Sequence, residues 1–128
     1  MRRFIPLALL TCLLAAICVE SAAAKLESFK VLAVDSSQTS AGGTQNLFEG
    51  KRKVGHDSYY CLSGRGGGYC KVTFVFKRGQ IHAAGAPTNA KNFTWKIVGG
   101  TGIYHGAKGK IKIHDFTPHR QQVTFIFT

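Results

Sequence analysis

Acidic residues are scarce in this chain: six Asp and Glu stand against 17 Lys and Arg in 128 residues. Cysteine (four), proline (three), tryptophan (one) and methionine (one) are also scarce. Each shortage excludes something. There is no G-x-S-x-G, no P-loop and no cysteine in an activating setting, so the common nucleophilic and nucleotide-hydrolysing frameworks are missing. No Cys/His pattern has metal-ligand spacing, and neither a metal nor a cofactor is expected. The five histidines (His56, His82, His105, His114 and His119) form no ligand motif, so only closure of the fold can gather them. An enzyme built on a carboxylate must draw on Glu27, Asp35, Glu49, Asp57 or Asp115. Of these, Asp57 beside His56 is the most suggestive, with an ordinary strand-face hydrogen bond as the plainer alternative.

The N-terminus has the layout of an export leader. Arg2 and Arg3 precede an apolar run from Ile5 to Val19, and Ala22, Ala23 and Ala24 supply the small residues a signal peptidase needs. The run is short for a spanning helix, which takes about 20 apolar residues. Ile17 directly before Cys18 departs from the lipidation pattern. The expected organisation is therefore a signal peptide over 1–24, cleaved near Ala24, and a single secreted domain over 25–128. Cleavage removes Arg2, Arg3 and Glu20 and leaves a formal charge of +10. It also leaves one cysteine pair, Cys61 and Cys70. In an oxidising compartment such a pair reads as a disulfide, worth about 2–3 kcal/mol by chain entropy. Free or metal-binding thiols are the alternative.

The rest of the chain has no convincing helical periodicity and alternates by two throughout. Val72, Phe74 and Phe76 face one way, and Lys71, Thr73 and Lys77 the other. Phe93, Trp95 and Ile97, then Ile111 and Ile113, then Val123, Phe125 and Phe127 repeat the pattern. Glycine-, proline- and asparagine-rich breaks separate about eight strands, near 26–34, 45–51, 53–63, 69–78, 80–85, 92–98, 107–116 and 121–128. Even spacing without crossover helices predicts an all-β, eight-stranded antiparallel up-and-down barrel, which also removes exposed edges. Cys61 would end one strand and Cys70 begin the next. The polar stretch 36–44 is expected to be a mobile loop.

The glycines at 99, 100, 102 and 106 lack G-x-G-x-x-G spacing and precede a strand rather than a helix, so a tight turn is expected there and not a pyrophosphate cradle. Asn92-Phe93-Thr94 is an N-glycosylation sequon in a eukaryotic host. Lys71, Lys77, Lys96, Lys110 and Lys112 lie on outward faces, with a further cluster at 51–53. That charge suits either solubility or docking on an acidic cell-envelope polymer. No sequence-specific nucleic-acid motif is present.

Residues 97–109 (IVGGTGIYHGAKG) resemble the turn-and-strand motif of dirigent proteins and allene-oxide-cyclase-like barrels. Residues 53–61 (KVGHDSYYC) and 70–81 (CKVTFVFKRGQI) are similar to small secreted bacterial members of that superfamily. The resemblance implies an eight-stranded barrel that holds a small, largely apolar molecule and steers its reaction by orientation rather than covalent chemistry. Such barrels are often dimers or trimers, so self-association is left open. The relatives carry a carboxylate in the first strand. Here that strand reads Phe29 to Val34 with no acid inside it, which leaves catalysis uncertain and no catalytic residue assigned; any activity would be isomerase, cyclase or stereodirecting.

The expected function is thus binding, and orienting, a small apolar or phenolic ligand inside the barrel. The expected lining is Phe74, Phe76, Phe93, Trp95, Tyr104 and Phe125, with Asp57 and Tyr59 as polar contributors. A core filled by the same aromatics is the alternative, because small eight-stranded barrels can be packed solid. A basic protein that docks on acidic envelope polymers without catalysis is the second functional expectation.

Overall fold

Side chains two residues apart share a face of a strand, and in this protein the apolar phase points into a closed interior. The computed structural model describes residues 26–64 and 67–128, so the expected leader lies outside the described residues. The strands are β1 (Phe29–Gln38), β2 (Gly42–Glu49), β3 (Arg52–Gly64), β4 (Gly67–Phe76), β5 (Gly79–Gly85), β6 (Asn92–Gly100), β7 (Gly109–Thr117) and β8 (Arg120–Phe127). Each pairs antiparallel with the next, and β8 closes on β1. The eight-stranded antiparallel barrel expected from spacing is the observed fold.

Two local expectations change. Spacing predicts that the first strand stops at Val34 and that 36–44 is a mobile loop. Instead β1 runs on to Gln38, β2 starts at Gly42, and a short turn joins them. There the Thr39 hydroxyl accepts from the amide of Gly42 at 3.2 Å, supplying turn chemistry without a proline. The stretch is polar because both faces of these strand ends are polar, which in sequence is indistinguishable from a loop. The first strand consequently does contain an acid, Asp35.

One half of the interior is solid. Phe29 stacks on Phe125 at 4.6 Å and meets Phe76 edge-on at 5.5 Å, while Phe74 meets Phe125 edge-on at 4.8 Å. Such pairs add about 0.5–1.5 kcal/mol each beyond their area burial. The turn after β6 caps this half. Gly102 takes φ +61°, and a Cβ there would stand 2.2 Å from the Arg78 carbonyl oxygen, so only glycine fits. The 3-10 turn Gly102–Tyr104 that follows carries Tyr104 beneath the barrel end, stacked on Phe127 with ring centroids 6.0 Å apart.

Cys61 and Cys70 are disulfide-bonded and directly opposite, with Cα atoms 4.0 Å apart. The bridge does not sit at strand ends as the spacing suggests: the β3–β4 ladder continues past it to Gly64 opposite Gly67. Replacing both cysteines by serine is expected to lower unfolding free energy by about 2–3 kcal/mol in a urea titration. An unchanged midpoint would mean the ladder alone holds this hairpin.

Candidate functional site

The other half of the interior is lined differently. Following the inward phase of each strand toward this end brings up polar residues: Asp57 on β3, Gln45 on β2, Asp35 on β1, Gln121 on β8 and Asp115 on β7. Asp57 lies opposite Gln45, Gln45 opposite Asp35, and Gln121 opposite Asp115. These five strands are consecutive around the barrel, so the residues form one continuous polar wall. Phe74 of β4 with Phe93 and Trp95 of β6 supplies an apolar wall. Between the walls is a cavity of about 110 Å³, rimmed by Gln38, Tyr59 and Pro118. An enclosed apolar cavity of about 150 Å³ admits benzene, so this smaller space, open at its rim, takes at most one small ring and only in part.

Most of the polar wall is tied together. The Gln45 side-chain amide donates to Asp35 Oδ1 at 2.7 Å and to Gln121 Oε1 at 3.3 Å. Gln121 donates to Asp115 Oδ1 at 2.7 Å. His119 Nδ1 is 3.2 Å from Asp35 Oδ2, and the two form an ion pair when the imidazole is protonated. At the rim the Gln38 amide donates to the Tyr59 hydroxyl at 3.4 Å.

Asp57 stands apart from this network. It is fully buried, and neither carboxyl oxygen has a hydrogen-bond partner among the described residues. Burial, reinforced by the negative charge of Asp35 and only partly offset by the nearby Gln45 backbone amide, pushes its pKa up to about 8. At neutral pH Asp57 is therefore a protonated acid with a free O–H beside an aromatic wall. Asp35 accepts hydrogen bonds from Gln45 and lies against His119. Two carboxyls in one chamber thus have opposite surroundings, the arrangement that separates donor from acceptor roles. Dry and neutral, Asp57 can donate a hydrogen bond, or a proton, to an oxygen or nitrogen on a molecule in the cavity.

Of the eight expected lining residues, the structure brings Asp57, Tyr59, Phe74, Phe93 and Trp95 to this cavity. Phe76, Tyr104 and Phe125 belong to the packed half. His56 does not join Asp57: period two sends Asp57 in and His56 out to solvent. Among the described residues no group of three His, Cys, Asp or Glu side chains is placed to hold a metal ion. Sequence reasoning missed Asp35, Gln45, Asp115 and Gln121, although each falls on the inward phase of its own strand. Trp95 is held by its indole N–H, which donates to the Ala86 carbonyl at 3.0 Å. It also lies flat against Gly85, where a Cβ would stand 1.9 Å from the indole.

No protein-family model and no curated protein matches the chain. Among solved structures, a pyocyanin demethylase superposes with a TM-score of 0.66 at 21% sequence identity, covering 80% of this chain and 100% of that one. The likeness is one of fold.

Asp57 also links stability to pH. Unfolded, it loses its proton near pH 3.8, and folded near pH 8. Between these values the folded state holds the extra proton. Stability therefore falls as pH rises, by at most about 1.4 kcal/mol per unit, and levels off above pH 8. Asp57→Asn should remove this slope and gain on the parent protein as pH rises, as read from urea midpoints between about pH 4 and pH 9. Parallel curves would show that Asp57 is not held neutral.

Proposed function

We propose that this protein binds and orients a small, planar, largely apolar or phenolic molecule at the Asp57 end of its barrel. The observation that carries this reading is the unpartnered, fully buried Asp57 carboxyl on a cavity with an aromatic wall. An unsatisfied buried polar group costs about 1–3 kcal/mol, and a ligand carrying a hydrogen-bond acceptor relieves that cost. The ring of the ligand would lie against Phe93 and Trp95, with its acceptor toward Asp57. The resemblance of residues 97–109 to dirigent and allene-oxide-cyclase-like barrels supports the same use of the interior. So does the existence of a pyocyanin demethylase of this fold, whose name records action on pyocyanin. The leader-like N-terminus and the disulfide support a secreted protein.

Trp95 is the only tryptophan in the chain, and it lines the cavity. Acetophenone, which offers one ring, one carbonyl acceptor and nothing that titrates, should saturably change its fluorescence. Affinity should hold steady below pH 8 and decline above it, because ionised Asp57 no longer donates. Asp57→Leu should weaken binding about tenfold, the loss of one hydrogen bond in a dry site. Affinity that is level through pH 9 and unaltered by Asp57→Leu would overturn the reading.

A second reading rests on the outer surface. Lys71, Lys96 and Lys110 form one cross-strand row through Ala84, and Lys112 adjoins it. The acids of β1, β3 and β7 point inward or lie on the rim, and among the described residues this row has no carboxylate within ion-pair distance. The row spans three of the eight strand-to-strand steps around the barrel, which a flexible acidic polysaccharide can follow and a flat surface cannot. Retention on polygalacturonate should be strong in dilute buffer and lost by about 0.5 M salt, where screening is nearly complete. Retention that survives that salt would count against electrostatic docking.

A further inference from the structure

The barrel has a second mouth, at the end opposite Asp57, where odd-numbered strands begin and even-numbered strands finish. Inward residues there are aromatic: Phe29 opens β1, Phe76 closes β4, and Tyr104 comes up from the turn after β6. These rings meet with centroids 5.5–6.4 Å apart and form a continuous apolar floor. Over this floor lies a groove of about 470 Å³.

The groove's edge is cationic. Arg52, Lys53, Lys77 and Arg78 line it, with Glu49 as the one acid. Glu49 is taken up by Arg52 at 3.5 Å. Lys53, Lys77 and Arg78 have no acidic side chain within ion-pair distance among the described residues. In the floor, Tyr104 is packed as a residue, while its hydroxyl is not sealed from solvent and makes no hydrogen bond to another described residue. Burial, opposed by the nearby charge of Arg78 and reinforced by that of Glu49, raises its pKa above the usual 10.0, so the phenol remains a donor. An apolar floor, three cations without an acidic partner and a phenol free to donate are together complementary to one kind of molecule. It has a flat apolar body and a single carboxylate at its edge.

We infer that this second mouth is a separate binding site for an aromatic carboxylate. The ring lies on Phe29, Phe76 and Tyr104, and the carboxylate takes hydrogen bonds from Lys77 and Arg78 and from the Tyr104 hydroxyl. The packed layer of Phe74 and Phe125 separates it from the Asp57 cavity, so the two sites are independently occupied. This site holds a charged acceptor among cations, whereas the Asp57 end, itself acidic, repels the same anion.

The test is calorimetric titration of the intact protein with 2-naphthoate and, separately, with the neutral 2-naphthalenemethanol. The anion should bind about tenfold more tightly than the alcohol, and added salt should narrow the gap. The exposed double substitution Lys77→Gln with Arg78→Gln should abolish that preference while leaving the melting temperature in place. Tyr104→Phe, which removes only the hydroxyl, should weaken the anion severalfold. Asp57→Leu should leave naphthoate binding unchanged while it weakens acetophenone binding, so failure at one end is distinguishable from failure at the other. Equal affinity for acid and alcohol, or an anion preference that survives the double substitution, would overturn the inference. Loss of naphthoate binding on Asp57→Leu would overturn it too, by moving the anion to the opposite chamber.

Discussion

Pairing of β8 with β1 is the contact on which everything else rests. Until Phe29 meets Phe125 and Val31 meets Val123 across that seam, the sheet has two open edges and no inside. Closure satisfies the backbone of both edge strands and removes the templates for aggregation that a helix-free chain would otherwise expose. It also fixes the strand number at eight, where the interior is just wide enough to be filled by its own side chains. Whether such a barrel is solid or hollow then depends on residue size and polarity, layer by layer. This one is solid where rings from neighbouring strands meet one another and hollow where a polar wall faces Phe93 and Trp95.

The hollow half brings Asp35, Asp57 and Asp115 to one end of the barrel, with Asp57 fully buried and the other two half-buried. Coulomb repulsion between carboxyls is large in a low-dielectric interior, and Asp57 beside Asp35 cannot be both dry and charged. The chain resolves this unequally. Asp35 and Asp115 receive the glutamine amide donors of Gln45 and Gln121, while Asp57 receives none and keeps its proton instead. The polarity of the chamber is thus set by the full burial of Asp57 and by the direction of two glutamine amides. That is a more economical device than a dedicated catalytic motif, and it leaves no motif in the sequence to find.

That economy explains what was and was not legible. The barrel itself could be read from period two and evenly spaced turns, because the apolar phase repeats in every ladder. The cysteine pairing could be read from arithmetic and compartment. Asp57 drew attention only through its neighbour His56, which turned out to face solvent. The better signal lay in phase: extending the inward series 31, 33 reaches Asp35, the series 111, 113 reaches Asp115, and the series 125, 123 reaches Gln121. Ending the first strand at Val34 discarded that signal for Asp35 and turned 36–44 into a loop, while Asp115 and Gln121 lay inside their expected strands without their phase being followed. The split of the expected lining between two ends was also decipherable in principle. In an up-and-down barrel the end of an odd strand and the start of an even one share a rim, so Phe76 and Phe93 belong to opposite mouths.

The position of the disulfide follows from the same asymmetry. Cys61 and Cys70 point inward, toward the end of β3 and the start of β4, which is the hollow end of the barrel. A cavity forgoes dispersion contacts and leaves its wall free to collapse, at a cost that grows with the void. The packed end needs no such help, since Phe29, Phe74, Phe76 and Phe125 hold it by mutual contact. At the hollow end, burial is replaced by a covalent constraint between neighbouring strands, together with the hydrogen bonds of Gln45 and Gln121. The bridge therefore does for the empty half what the aromatic cluster does for the full one. Its place next to Tyr59 and Val72, rather than near the glycine turn at 99–102, marks the half of the barrel that is built to stay open.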